Sequence, residues 1–226
     1  MKLSATGTIG RGGLSERAYE HAKTLLLSGQ ITKDKWFAID KIAAELKISR
    51  QPVMDAMRRL STEGFVEIVP QVGCRPRRPE LSEIRDFFKL FAEGEAIVAE
   101  LAADRADPQN VLSLRLISSQ IGLLSKQSDM GNVDDLYRSL NRQLHAEIRR
   151  AARSAPIAEI VESLGDKSDF FIACASGPLF SPNLAAAHAE HEEIIEAIAK
   201  GSGRKAYSAM KKHITATEQR LESLIS

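Results

Sequence analysis

The sequence has few cysteines, few aromatic residues and no long apolar run. Its 226 residues include only two cysteines, Cys74 and Cys174, and 5% of the chain is aromatic. Two cysteines far apart in the sequence favour reduced thiols over a disulfide or a redox switch. No apolar stretch approaches the roughly 20 residues of a membrane span, and the first residues lack a signal-peptide pattern. These absences predict a cytoplasmic protein without membrane contact.

Internal repeats and low-complexity segments are also lacking, but charge is distributed unevenly. The composition, 43% apolar and 27% charged, is ordinary for a globular chain with room for two modest domains. Residues 1–79 carry 14 basic and 8 acidic side chains, a charge of +6, and the remainder carries 17 and 22, a charge of −5. A basic first part joined to an acidic remainder favours a DNA-binding module attached to a domain with another task.

Two short helices are predicted between residues 40 and 63. Asp40 is predicted to cap the first helix, and Lys47–Ser49 has the pattern of a tight turn. Ser49 is predicted to cap the second helix, which runs over about residues 50–63 and is expected to bury its apolar side chains, namely Val53, Ala56, Met57 and Leu60. Gly64 ends this helix.

A hairpin is predicted directly after this pair of helices. Residues 65–69 alternate as a strand does, residues 70–73 form a turn, and the chain returns as far as Arg78. Two helices joined by a tight turn and followed by a hairpin make a winged helix-turn-helix. In that fold the second helix enters the DNA major groove.

Polar side chains of the second helix and hairpin supply the expected DNA contacts. Arg and Gln can bind guanine and adenine edges through two hydrogen bonds, and Lys and Arg neutralise phosphates. We predict that Arg50 and Gln51 read bases. The other predicted contacts are those of Lys41, Lys47, Ser49, Arg58, Arg59, Arg75 and Arg77. The alternative is a helical hairpin with a solvated charged face in a protein of another kind.

Residues 79–226 are predicted to form an all-α bundle of about six helices. Prolines and a change of pattern place the domain boundary near residues 78–82, with a loose tail over 1–12 and the winged helix over 13–78. The fold class is therefore mostly α, with a small α/β DNA-binding domain. The first bundle helix, about Glu83–Arg105, is predicted to bury Phe87, Phe88, Phe91, Ile97, Val98, Leu101 and Ala102. A loop is predicted at Met130–Asn132.

Histidines of the predicted bundle are spaced so that three of them can meet. Asn141 and His145 lie four residues apart, on one helix face. His191 and His213 each lie eleven residues from Ser202, the middle of a predicted turn between antiparallel helices, and therefore return to the same level. Three imidazoles from three helices can bind a divalent metal. The alternative is that these histidines are packed core residues, which is the usual role of a lone buried histidine such as His188.

Four segments resemble a known family. The run LKISRQPVMDAMRRLSTEGFVEI resembles the DNA-binding signature of GntR-type transcriptional regulators. NRQLHAEI, EHEEIIEAIAKG and MKKHI resemble the FCD ligand-binding domain of the FadR-like branch. Together they cover nearly the whole chain from about Leu14 onward. The resemblance implies a homodimer that binds a pseudo-palindromic operator and changes its grip when a small metabolite enters the bundle.

The resemblance also implies a set of ligands for a divalent transition metal of the Zn, Ni or Mn class. These ligands are Asn141, His145, His191 and His213, although the family usually has Asp at the position of Asn141. Family precedent implies a small organic-acid effector, for which we predict contacts with Arg138, Arg142, Arg149 and His188. Two further departures are Met54 and Phe91, each at a position where the family often has Arg.

Two rival functions stay open on the sequence. Three histidines with an open position can also activate water in a metal-dependent enzyme. Glu190 is then the only nearby candidate for a general base, and the other interpretations of it are a solvated helix residue or a partner of a metal ligand. The second rival is an effector-free DNA-binding protein with packed histidines.

Overall fold

The computed structural model describes residues 11–31, 35–125, 133–175 and 179–225. The chain divides into two compact units, an N-terminal unit that ends at Arg78 and a C-terminal unit that starts at Pro79. The described residues form nine α-helices and one two-stranded sheet, so the predicted mostly-α fold class is confirmed. Within these ranges, every helix is too short or too polar to cross a bilayer.

The N-terminal unit has the predicted pair of helices and the predicted hairpin, preceded by a further helix. Its elements are α1 (Arg11–Leu27), α2 (Ile39–Leu46), α3 (Arg50–Thr62), β1 (Val66–Val69) and β2 (Gly73–Pro76). The strands are antiparallel, with Val66 opposite Pro76 and Val69 opposite Gly73. Most of the predicted tail, residues 1–10, lies outside the described residues, and α1 begins at Arg11, inside the predicted tail.

The turn between α2 and α3 is made by a residue in the left-handed conformation. Lys47 has φ 55° and ψ 46°, and the next amide, that of Ile48, donates to the carbonyl of Ala43 over 2.9 Å. Ser49 occupies the N-cap position of α3, as predicted, but its side chain makes no capping hydrogen bond. Asp40 is not the cap of α2, because the helix begins at Ile39; Asp40 lies in the first turn, where a carboxylate still favours the helix dipole.

Gly64 ends α3 with the predicted glycine cap. Its φ is 74°, a conformation that costs glycine little, and the amide of Phe65 donates to the carbonyl of Leu60 over 2.9 Å. The predicted apolar face of α3 is fully buried against α1 and β1. Cys74 is a free thiol within the same core, and Cys174 of the C-terminal unit is free as well.

The C-terminal unit contains six helices among the described residues, which confirms the predicted bundle. They are α4 (Leu81–Arg105), α5 (Pro108–Leu124), α6 (Val133–Ala151), α7 (Ala155–Ala173), α8 (Leu184–Ala199) and α9 (Gly203–Ile225). A short 3-10 turn, Ser181–Asn183, precedes α8. The predicted loop at Met130–Asn132 lies outside the described residues.

Helix α4 is the centre of this bundle, since it packs along α9 and also contacts α6, α7 and α8. Its inner face includes Phe88, Phe91 and Val98 as predicted. Ile97 was predicted to face inward, but 41% of it is exposed. Glu95, which was not predicted to face inward, lies on the inner face and is 1% exposed. It follows the buried Phe91 by four residues and precedes the buried Val98 by three, which is the spacing of one helix face.

Helices α8 and α9 form a tight antiparallel hairpin. Gly201 has φ 63°, and the amide of Ser202 donates to the carbonyl of Ala197 over 2.9 Å. Glycine adopts this conformation at little cost, so the chain reverses within three residues. This turn determines which side chains of the two helices face each other.

Candidate functional site

Three buried histidines from three helices converge in the C-terminal unit. His145 comes from α6, His191 from α8 and His213 from α9, and one ring nitrogen of each lies within 4.8 Å of the other two. The ring centroids of His191 and His213 are 4.5 Å apart, so the hairpin brings them to one level as the spacing predicts. The ring centroid of His145 lies 5.9 Å from that of His191 and 5.6 Å from that of His213.

Two of the histidines contact carboxylates through the same ring nitrogen. His145 Nδ1 is 3.1 Å from Glu95 Oε2, and His213 Nδ1 is 2.7 Å from Glu190 Oε2. An ionised carboxylate only accepts hydrogen bonds, so each Nδ1 is the protonated nitrogen. With Nδ1 directed to the carboxylate, Nε2 is the ring nitrogen that remains for a metal, which is the arrangement in which a carboxylate orients a histidine ligand.

Each of these carboxylates is also held by an arginine. Arg149 Nη1 donates to Glu95 Oε1 over 3.1 Å, and Arg220 pairs with Glu190. Burial acts to raise the pKa of Glu95, but the adjacent His145 and Arg149 outweigh it and lower that pKa. The same competition, with Arg220 contributing, lowers the pKa of Glu190. Both carboxylates are therefore ionised at neutral pH.

The ring of the third histidine and the side-chain oxygen of Asn141 have no hydrogen-bond partner among the described residues. His191 is fully buried, and neither of its ring nitrogens finds a hydrogen-bond partner among the described residues. Burial, followed by the proximity of His213 and His145, holds the pKa of His191 well below its usual value, so the ring is neutral. Asn141 Oδ1 is likewise buried without a partner in the described structure. Buried polar atoms are nearly always hydrogen-bonded, so these atoms have the capacity to bind an ion or a ligand.

A cavity of about 320 Å³ adjoins the histidines, between α4, α6, α7 and α9. His145, His213 and Asn141 line it, so the histidine cluster forms part of its polar wall. Its apolar wall is made by Phe88, Phe91, Tyr137, Ile172 and Phe180. A pocket of this size, with mostly apolar walls and a few converging polar groups, is typical of a small-molecule site.

Two of the predicted effector contacts line this cavity. Arg149 does so while bound to Glu95, and Arg142 does so with Nη1 3.5 Å from Asp169 Oδ2. Burial raises the pKa of Asp169 to about 6, despite the opposing effect of Arg142. Arg138 does not line the cavity, and its guanidinium lies 5.9 Å from the ring centroid of Phe180.

His188, also predicted as an effector contact, lies elsewhere. Its Nε2 is 3.1 Å from the carbonyl oxygen of Ser118, in a separate groove between α5 and α8 that is also lined by Gly122. A Cβ at Gly122 would be 2.9 Å from the ring of His188, so the two residues fit only because position 122 is glycine. His188 is offset by about 60° from His191 around α8, which directs it toward α5.

The predicted base-reading residues lie at the exposed start of α3. The Arg50 side chain is 68% exposed and its Nε is 3.2 Å from Asp40 Oδ1. Gln51 Nε2 and Arg58 Nη1 both donate to Asp55 Oδ1, over 2.9 and 2.6 Å. The remaining predicted contacts on this side, Lys41, Lys47 and Ser49, are exposed.

Other predicted DNA contacts are engaged within the N-terminal unit. Arg59 lies 3.6 Å above the ring centroid of Tyr19 on α1 and bonds to Glu16 over 2.8 Å, since it is about half a turn around α3 from Arg50. Arg77 Nε donates to the carbonyl of Gly64 over 2.9 Å. Arg75 Nη2 is 2.8 Å from the Glu67 carboxylate on the neighbouring strand.

The sequence prediction missed two acidic residues of the site, Glu95 and Asp169. Glu95 had a recognisable signal, because it lies between Phe91 and Val98 on the apolar face of a predicted helix. A carboxylate in such a position is buried only with partners. Asp169 had no comparable signal, since its helix carries charges on several sides.

Comparisons with known proteins match both units. Residues 14–75 match the family described as bacterial regulatory proteins, gntR family, and residues 93–216 match the FCD domain. The chain is 28% identical over 131 residues to the Nta operon transcriptional regulator of Aminobacter aminovorans, a match that spans 58% of this chain and 60% of that protein. It is 25% identical over 216 residues to the HTH-type transcriptional regulator LutR of Bacillus subtilis (strain 168), covering 82% and 90% of the two chains. The solved structure of E. coli McbR/YncC has a similar fold, with a TM-score of 0.78 at 15% identity over 94% of this chain and 99% of that one.

Proposed function

The chain belongs to the gntR family of bacterial regulatory proteins and carries an FCD domain, so it is a DNA-binding transcriptional regulator, and we propose that a small organic acid bound in its C-terminal unit controls operator binding. The observation that carries this proposal is the histidine cluster that adjoins a cavity with an apolar wall. The rival interpretation as a metal-dependent enzyme has no support, because the matching families and relatives are transcriptional regulators. Glu190 fits a partner of the ligand His213 rather than a general base.

A divalent transition metal is the second part of the proposal. His145, His191 and His213 would hold it, with Asn141 Oδ1 as an additional oxygen donor. The unpartnered atoms of His191 and Asn141 support this assignment. Nitrogen-rich donors suit Zn or Ni better than Mn, which prefers carboxylate and water ligands. The metal would supply a positive charge that attracts the carboxylate of an organic acid.

The effector would occupy the cavity with its carboxylate toward the histidine cluster. Arg142 is available at the cavity wall, since its guanidinium is more than half exposed and its contact with Asp169 is long. Arg149 lies nearby but is already bound to Glu95. The aromatic wall favours the carbon skeleton of the ligand. We therefore narrow the predicted effector contacts to Arg142 and Arg149, without Arg138 and His188.

DNA binding is proposed for the exposed side of the N-terminal unit. Arg50 and Gln51 would read base edges, and phosphate contacts would come from the exposed polar side chains around them, Lys41, Lys47, Ser49 and Arg58. Arg50 contacts the exposed carboxylate of Asp40, and Arg58 contacts the half-buried carboxylate of Asp55. Both arginine side chains are more than half exposed, and surface pairs of this kind contribute little and exchange readily. Arg75 would contact phosphates from the hairpin. Arg59 and Arg77 would instead stabilise the unit.

A homodimer on a pseudo-palindromic operator is also proposed, with α5 as part of its interface. Leu112, Leu116 and Leu123 are each more than half exposed on one side of this helix. Arg115 is the only charged residue in α5, and it pairs with Glu196 over 3.1 Å. An exposed apolar stripe with so little charge supports self-association, and two half-sites on DNA require two copies of the reading helix.

The test measures DNA affinity in the presence of metal and carboxylates. Operator DNA is selected from a random-sequence duplex library, and affinity is then followed by fluorescence anisotropy at fixed salt. We expect at least one small carboxylate, with Zn²⁺ present, to change the affinity about fivefold or more. The response should disappear in His191→Ala and persist in His188→Ala, a matched change one turn away on α8. If no combination of metal and carboxylate changes the affinity, the protein is the effector-free DNA binder.

A further inference from the structure

We propose that the histidine cluster binds its metal tightly only together with an anionic ligand, so that metal and effector carboxylate bind as a coupled pair. This inference rests on the proposed function and states how the two ligands of that site control each other. It follows from the charges of the groups that surround the cluster.

Every donor atom available to the metal is electrically neutral. The three imidazoles bind metals as neutral rings. Asn141 contributes an amide oxygen, which carries a partial but not a full negative charge. The donor set therefore offsets none of the two positive charges of a divalent ion.

The carboxylates that touch the histidines do not supply the missing charge either. Glu95 is paired with Arg149, and Glu190 is paired with Arg220. Each pair sums to zero, and both oxygens of Glu95 are already in use, one by His145 and one by Arg149. A divalent ion at the cluster would thus carry an uncompensated charge in a largely buried site. Such charges are expensive unless a counter-charge comes with them.

An anion can reach the cluster through the adjoining cavity. The cavity of about 320 Å³ is lined by His145, His213 and Asn141, so a small carboxylate inside it lies beside the metal donors. Its negative charge would offset part of the metal charge, and the metal would in turn strengthen carboxylate binding. Linkage requires that the two effects be equal in size.

The described part of the chain itself contains alternative sources of negative charge. Glu162, Asp166 and Asp169 of α7 line the same cavity, and Asp169 is 3.5 Å from Arg142. If one of these carboxylates moved onto the metal, the site would be complete without an added anion. The experiment must separate this arrangement from the proposed one.

The test is a titration of the full chain with Co²⁺, followed by visible absorption in a buffer free of carboxylates and phosphate. The probes are acetate and lactate, and their uncharged amides, acetamide and lactamide, are the matched controls. We expect at least one of the two carboxylates to lower the Kd for Co²⁺ about tenfold or more, and neither amide to change it. Asn141→Asp, which places a carboxylate in the donor set, should bind Co²⁺ tightly without added anion and show coupling of less than about threefold.

Three results would overturn the inference in distinguishable ways. Equal Co²⁺ affinity with and without both carboxylates would remove the coupling and leave the metal site of the proposed function intact. Tight anion-free binding that is lost in Glu162→Gln, Asp166→Asn or Asp169→Asn would show that the chain supplies its own counter-charge. Absence of Co²⁺ binding in both the unmodified chain and Asn141→Asp would remove the metal from the proposed function as well.

Discussion

Replacing Glu95 by Gln tests whether a buried carboxylate orients the histidine cluster. The carboxylate is 1% exposed and accepts from two donors, His145 Nδ1 and Arg149 Nη1, each over 3.1 Å. Glutamine has almost the same shape but only one acceptor oxygen, and its amide group is itself a donor. At least one of the two donors must therefore lose its partner in Glu95→Gln.

Glu95→Gln is expected to lower both the stability of the chain and its affinity for metal. A hydrogen bond to a charged group contributes about 1.5–3 kcal/mol, so the metal-free variant should be less stable by that amount. For a protein of this size the melting temperature should fall by roughly 3–12 °C. Loss of the partner that orients a histidine ligand lowers metal affinity by roughly 10- to 100-fold.

A largely buried glutamate of α6 provides a matched control. Glu147 pairs with Arg150 over 2.6 Å and accepts from Asn110 Nδ2 over 3.3 Å, and 11% of its side chain is exposed. Glu147→Gln should also lower stability by about 1.5–3 kcal/mol through its lost hydrogen bonds, but it should leave Co²⁺ affinity unchanged, because the partners of Glu147 are not the histidines. Thermal unfolding of the metal-free chains and Co²⁺ titration measure both effects. If Glu95→Gln is folded and binds Co²⁺ with unchanged affinity, the carboxylate does not orient the cluster and our reasoning is wrong.

Three further predictions concern other parts of the molecule. Because burial raises the pKa of Asp169 to about 6, the folded state binds a proton more tightly than the unfolded chain, and this stabilisation, present below about pH 4, is lost as the pH rises to 6. Asp169→Asn should remove that slope and raise the free energy of unfolding at pH 7 by about 2–3 kcal/mol, measured by urea unfolding at several pH values. Arg59→Ala should lower stability by about 1–2 kcal/mol through loss of its contact with Tyr19, whereas Arg50→Ala should weaken operator binding in an anisotropy assay and leave the melting temperature unchanged. Leu116→Glu should convert the proposed dimer to a monomer in sedimentation experiments, and a dimer that persists would exclude this face of α5 from the interface.

The sequence predicted the helices of the fold well because their signals are local. Apolar spacing marks the buried face of α3, and glycine at positions 64 and 201 marks points where the chain must adopt a left-handed conformation.

Asp40 shows the limit of local reasoning. Capping preference favoured it as the N-cap of α2, but the helix starts one residue earlier, at Ile39, whose buried side chain contributes to the core. Packing of an apolar residue outweighed a cap, which contributes only about 1 kcal/mol.

The charged groups of the site were harder to predict because their partners are distant in the sequence. Glu95 meets His145 and Arg149 across 50 and 54 residues, and no local pattern joins these positions. Arg59 is a similar case, since its contact with Glu16 spans 43 residues. An arginine on a recognition helix looks like a DNA contact until the packing of α1 places an acidic side chain and a tyrosine ring beside it.

His188 and His191 show why spacing succeeded for one histidine and failed for its neighbour. They lie three residues apart on α8, so a helical pattern alone places them on nearly the same side. The turn after α8 decides between them, because its short length aligns His191 with His213 across the hairpin. His188 has no histidine opposite it on α9. Its ring packs against α5 instead, at Gly122, where the absence of a side chain leaves room for it. Spacing on one helix therefore predicts that two side chains meet only when the register of the neighbouring helix is also known. Here the glycine turn between α8 and α9 sets that register.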